Sequence, residues 1–153
     1  MKKYIIGGII ILVGIIYFMG LYTYFIRTEI QEALPMSSTL STSPQVIRAG
    51  TFGEVDFIHK GSGTARLVNV EGKTILRLED FNVVSGPDLY VYLSKSEQPT
   101  GDLSSLGDFK DLGRLKGTMG NQNYEIMNDA TGYTTAVIWC KRYGVLFTYA
   151  IMK

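Results

Sequence analysis

The chain has 153 residues, a formal net charge of +1, 46% hydrophobic residues and one cysteine. With so balanced a charge and no basic stripe, nucleic acid is excluded as a partner, and attraction to an anionic membrane or to acidic substrates has no support. A single cysteine excludes a disulfide framework within the chain.

In chain order, the first element is an uncharged run from Tyr4 to Ile26, rich in Ile, Leu, Val, Phe and Gly. At about 1.5 Å per residue its roughly 23 positions span about 35 Å, enough to cross a bilayer core as a single N-terminal transmembrane helix. Lys2 and Lys3 precede it, whereas Arg27, Glu29 and Glu32 follow. This asymmetry predicts a cytoplasmic N-terminus and an extracytoplasmic C-terminal domain in a single-pass cell-membrane protein. Tyr17, Phe18, Tyr22, Tyr24 and Phe25 crowd the outer half, as amphipathic rings do at an interface. A cleaved secretory signal is the competing reading. Its apolar region is shorter, however, and ends at small residues, where this chain has Tyr-Thr-Tyr-Phe-Ile-Arg. Residues 1–27 are therefore expected to form an uncleaved signal anchor that meets the lipid bilayer through residues 4–26.

Residues 28–45 are rich in Ser and Thr, hold two of the four prolines, and read as a flexible tether. Residues 46–153 carry equal numbers of basic and acidic residues and read as one all-β domain, an antiparallel sandwich or barrel-like fold. Strands are expected over 53–59, 64–70, 74–81, 88–94, 123–127, 134–141 and 145–151. Tight hairpins are expected at Glu71-Gly72-Lys73 and at Lys60-Gly61-Ser62-Gly63, and a turn at Ser85-Gly86-Pro87-Asp88. Residues 95–122 are Gly-rich. Leu103, Leu106, Phe109, Leu112 and Leu115 recur there at about three-residue spacing, compatible with a helical or 3₁₀ turn over the core or with a short strand at 112–115.

Cys140 lies in the last but one of these strands. A lone thiol is an inert core residue, half of an intermolecular disulfide, or a redox or ligand group. In an extended strand Ile138 and Cys140 share one face and Trp139 and Lys141 the other, which puts Cys140 where burial gives way to solvent. His59 is the only histidine and reads as a surface residue beside a turn. Blue copper needs two histidines with the cysteine, structural zinc needs four ligands, and covalent haem needs Cys-x-x-Cys-His, so no metal site is expected and no cofactor is named. Asp102, Asp108 and Asp111 read as a solvated loop, because their spacing is not that of a calcium loop. Glu79 and Asp80 point to opposite strand faces, and Gly61-Ser62-Gly63 lacks the lysine of a phosphate loop. With one histidine and no nucleophile elbow, hydrolytic chemistry has no support, and a redox or binding module is expected rather than a stand-alone enzyme. The aromatics Tyr90, Tyr92, Tyr124, Tyr133, Trp139, Tyr143, Phe147 and Tyr149 are expected mainly in the core. Any that line an open sheet face would suit a flat ligand or a partner protein.

Several ordered blocks carry a further signal. They are Gly50-Thr51-Phe52, Gly61-Ser62-Gly63-Thr64-Ala65, Leu76-Arg77-Leu78-Glu79-Asp80-Phe81 and Gly86-Pro87-Asp88-Leu89-Tyr90-Val91-Tyr92-Leu93-Ser94. They continue with Leu115-Lys116-Gly117, Gly120-Asn121-Gln122-Asn123-Tyr124-Glu125-Ile126 and Val137-Ile138-Trp139-Cys140-Lys141. In this order they resemble the DM-13 domain, the Skeletor-type electron-transfer domain, over about residues 47–151. Met127 and Gly144 stand where members of that family often have Pro and Ser. The resemblance implies a small extracytoplasmic β-sandwich acting in membrane-associated electron transfer. It implies Cys140 as the candidate redox residue and a membrane redox protein as partner. The alternative is a non-catalytic binding β-sandwich in which Cys140 is a structural core residue.

Overall fold

A computed structural model describes residues 2–18, 26–35, 44–127 and 129–153. Residues 4–18 of the uncharged run belong to a helix, α1 (Lys2–Phe18), none of whose residues is buried. Among the described residues no helix is long and apolar enough to cross a membrane. The expected span of 4–26 also takes in residues 19–25, which lie outside the described residues.

The rest is predominantly β: two antiparallel-rich sheets packed face to face. One holds five strands in the order β1-β7-β4-β3-β2, namely β1 (Glu29–Gln31), β7 (Met119–Ile126), β4 (Lys73–Val83), β3 (Gly61–Val70) and β2 (Gln45–Thr51). The other runs β6-β5-β8-β9, with β6 (Phe109–Arg114), β5 (Leu89–Ser94), β8 (Thr135–Cys140) and β9 (Val145–Ile151). Among the described residues only β1 runs parallel to its neighbour. At one corner Ala49 and Lys153 exchange backbone hydrogen bonds (3.2 and 3.0 Å), which ties β2 to the end of the chain beyond β9 and gives the sandwich a barrel-like seam.

Between the sheets lies one core that includes Phe52, Leu76, Leu78, Phe81, Val91, Leu93, Ile138, Cys140 and Phe147. Phe81 and Phe147 are almost wholly removed from water, which contributes about 1.5–3 kcal/mol each. The sheets' period-2 pattern is visible where one face is wet, as in the end of β7, and lost in β8, whose six residues are all buried. A second apolar cluster accounts for that loss. Tyr92, Leu106, Val137, Trp139 and Leu146 pack on the outer face of the four-stranded sheet, with Val55 and Tyr90 at their margin.

Six expected strands correspond to observed ones, and the β3–β4 hairpin turns at Glu71-Gly72. Both residues have positive φ (51° and 82°), as a two-residue turn between the Val70–Lys73 pair requires. Three expectations need correction. Residues 53–59 form no strand: the Asp56 carboxylate accepts the Ile58 and His59 amides (2.7 and 2.6 Å) and curls them into a loop closed by a Glu54–Lys60 bridge. Lys60-Gly61-Ser62-Gly63 is not a hairpin: Gly61 opens β3, which carries a bulge between Ser62 and Thr64. Residues 28–35, expected as tether, are pinned to the sheet: β1 pairs with β7, and Leu34 packs on Val68, Val70 and Ile75. The Gly-rich segment resolves into a 3₁₀ turn (Leu103–Leu106), β6 and the start of β7.

Candidate functional site

The candidate site is organised by β8 and its alternation. Ala136, Ile138 and Cys140 enter the inter-sheet core, while Val137 and Trp139 enter the outer cluster. Cys140 pairs with Leu89 on β5 and Val145 on β9, and its carbonyl accepts the Gly144 amide (2.9 Å) that closes the β8–β9 turn. Its thiol is free and its side chain wholly buried (0% exposed). The expectation that Cys140 borders solvent is therefore corrected. The strand does end there, as β5 and β9 do at its partners Leu89 and Val145, but the side chain points into the inter-sheet core, which keeps it covered. Thiol–disulfide exchange needs access to Sγ by an attacking sulfur, and this packing denies it.

The opposite face of the same strand is accessible. Above Tyr92 and Trp139 lies a groove of about 580 Å³, walled by Leu103 and Phe109 and rimmed by Asp102, Asp111 and Lys141. Tyr92 and Trp139 are each only 2% exposed, so they form its floor, whereas Leu103 and Phe109 stand out at 43% and 36%. The Phe109 ring stacks on Tyr92 with centroids 4.8 Å apart at 30°. At the rim the Lys141 ammonium binds the Asp111 carboxylate (2.8 Å) and sits 4.0 Å from the centroid of Tyr90. Arg114 contacts the same ring and pairs with Asp88. Burial pushes the Tyr92 hydroxyl above its ordinary range, and the bond to Asp111 raises Lys141. Tyr92 thus stays neutral and Lys141 cationic at neutral pH. The groove has an aromatic floor, one cation and two carboxylates, suited to a flat conjugated ligand or to an aromatic residue of a partner.

The other singled-out residues serve local structure. His59 is not a free surface side chain: it is 18% exposed, bonded to Asp56 (2.7 Å) and set edge-on against Phe147 (4.7 Å). Asp102 caps the 3₁₀ turn, Asp108 pairs with Lys95, and Asp111 belongs to the groove rim. Glu79 pairs with Arg66 and Arg77. Among the described residues no three His, Cys, Asp or Glu side chains gather as a metal site would need. Sequence reasoning named Leu103, Phe109 and Trp139 but did not bring them together. The available signal was the alternation itself, which sends a large aromatic outward from a central strand and so requires something to cover it.

The comparisons bear on this geometry directly. No curated protein and no solved structure matches the chain. A family model described as "Electron transfer DM13" matches residues 51–152, from the end of β2 to one residue past β9, and so takes in the four-stranded sheet, β3, β4 and β7 of the other, Cys140 and the groove. Since that match covers well over half of the chain, the protein belongs to the DM13 family of electron-transfer domains.

Proposed function

We propose that this chain is a membrane-anchored, extracytoplasmic electron-transfer module. Cys140 is its candidate redox residue, and the aromatic groove on the other side of β8 is its contact with the outside. The observation that carries this reading is the adjacency of a sealed thiol and a groove-floor indole. Cys140 and Trp139 are consecutive, and one faces the core while the other faces the groove. A few bonds of β8 join the two side chains as a route by which an oxidising partner at the groove would take one electron from Cys140 as the thiol gives up its proton, whereas a thiol reagent cannot reach Sγ. The electron partner, a membrane redox protein or a flat conjugated molecule, would meet Tyr92, Phe109 and Trp139 under the Lys141–Asp111 rim. The anchor is supported by the uncharged run 4–26, the lysines before it and the acidic residues after it. Its first part is α1.

A second reading has its own observation. Cys140 is wholly buried among apolar side chains, which favours a packing role and leaves a binding module whose groove recognises a partner without electron exchange. Redox potentiometry of the full chain in detergent separates the two. A reversible couple that disappears in Cys140→Ala supports the first reading. A couple that survives moves the redox role to the groove, and no couple in either protein leaves the binding module.

A further inference from the structure

The 54–60 loop holds two large apolar side chains in water. Phe57 is 92% exposed, more than any other large hydrophobic residue among those described, and Ile58 beside it is 61% exposed. The loop is well braced. Asp56 accepts the amides of Ile58 and His59 and the His59 ring (2.7 Å), the Val55 and Asp56 amides both reach the His59 carbonyl (2.9 and 3.2 Å), and His59 packs on Phe147. The His59 hydrogen bond also holds the Asp56 carboxyl down at about 2, so the brace is charged at neutral pH. A braced loop that presents Phe-Ile outward is a wedge, not a frayed end.

Its position names the occupant. Lys60 stands 5.7 Å from the Phe57 ring and shares a cleft with Arg27, Glu54 and Asn82. Arg27, bonded to Asn82 (3.4 Å), is the first charged residue after the uncharged run 4–26. The wedge therefore projects beside the point where the chain would leave a bilayer, with two cations at its base, one of them, Lys60, paired with Glu54 at 3.8 Å. Amphipathic surfaces that lie on membranes combine apolar side chains 5–10 Å deep with Lys and Arg at the headgroups.

We propose that Phe57 and Ile58 form a second, interfacial membrane contact, inserted into the outer leaflet of the bilayer that holds residues 4–26, with Arg27 and Lys60 at lipid phosphates. This rests on the membrane-anchor reading above and adds orientation to it. The Cys140 end of β8 lies at the same end of the sandwich, because Lys141 donates to the Asp88 carbonyl (2.9 Å) and Asp88 shares a cleft with Ile26. A docked wedge thus holds that end close to the membrane, where a membrane-resident partner would approach it.

The test uses the full chain carrying Phe57→Trp, reconstituted in phosphatidylcholine–phosphatidylglycerol vesicles with and without brominated acyl chains. The wild type, whose only tryptophan is Trp139, serves as the reference. Flotation is read on the same samples. The proposal expects co-flotation, a blue-shifted added emission, and quenching of that component by about twofold or more in bromolipid. Chains that float while the added tryptophan stays solvent-like overturn the wedge and leave the anchor standing. A blue shift without bromolipid quenching means a protein contact at Phe57 and also overturns it. Wild-type chains that fail to float overturn the anchor, and the wedge with it.

Discussion

Cys140 packs as a hydrophobe, and its substitutions report on that directly. Cys140→Ser places a hydroxyl among Leu89, Ile138 and Phe147 in the same core cluster, which costs about 1–3 kcal/mol if it finds no partner. Cys140→Ala leaves a small void and costs about 1–2 kcal/mol. Denaturant unfolding of the two variants should rank Ser below Ala, and the reverse order would mean that the thiol site is polar or wet. That Cys140 and Trp139 face opposite ways was legible from strand alternation alone. That both faces are covered was not. The cover over Trp139 comes from Leu106 and Val55, in loops roughly 30 and 80 residues away along the chain, and local pattern carries no trace of such contacts.

At the scale of elements, β1 is the least expected and the most easily tested. Three residues cannot announce a strand, and its parallel partner β7 lies about 90 residues downstream. The strand docks because Gly120 has φ of 96° and presents no side chain to the Ile30 carbonyl, with which a Cβ would collide. Gly120→Ala should cost about 1–3 kcal/mol and release β1, seen as loss of amide-exchange protection at Glu32, whose amide bonds to Asn121. Unchanged protection there would mean that β1 is held by its side chains.

Those side chains centre on Glu32. Its carboxylate takes Lys116 Nζ at 2.8 and 3.0 Å and the Asn123 amide at 2.8 Å. Burial pushes this carboxyl up, but Lys116 and Asn123 together outweigh it and hold the group below its ordinary value of 4.5. A lowered folded-state value means that the stabilisation is complete above 4.5 and fades as pH falls through the lower one. Protection factors in β1 should therefore be flat from neutral to mildly acidic pH and drop below it, whereas Glu32→Gln should be weaker throughout and lack the drop. Three segments of the domain also show where sequence reading stops. Residues 74–81 and 145–151 had strong β patterns and became β4 and β9. By contrast, 53–59 had the pattern, but a single Asp56 side chain diverted its backbone.

At the scale of the molecule, the sandwich divides its labour between faces. The inter-sheet core fixes Cys140, and the outer face of the four-stranded sheet offers the aromatic groove. The end that carries Arg27, Lys60 and Phe57 faces the proposed bilayer. The family and the β class were legible in the ordered sequence blocks, because turn glycines and strand residues recur in a fixed order. The groove was not, since it exists only once residues 101–111 fold back over β5 and β8. On the function proposed above, Cys140 is sealed from solvent, so that an electron would reach it across β8 rather than through thiol exchange. The direct measurement is alkylation of Cys140 in the full native chain by a small thiol reagent, read by intact mass against denaturant concentration. The account predicts no labelling in the folded protein and labelling that follows global unfolding. Rapid labelling under native conditions would contradict it and return Cys140 to the surface as a directly reactive thiol.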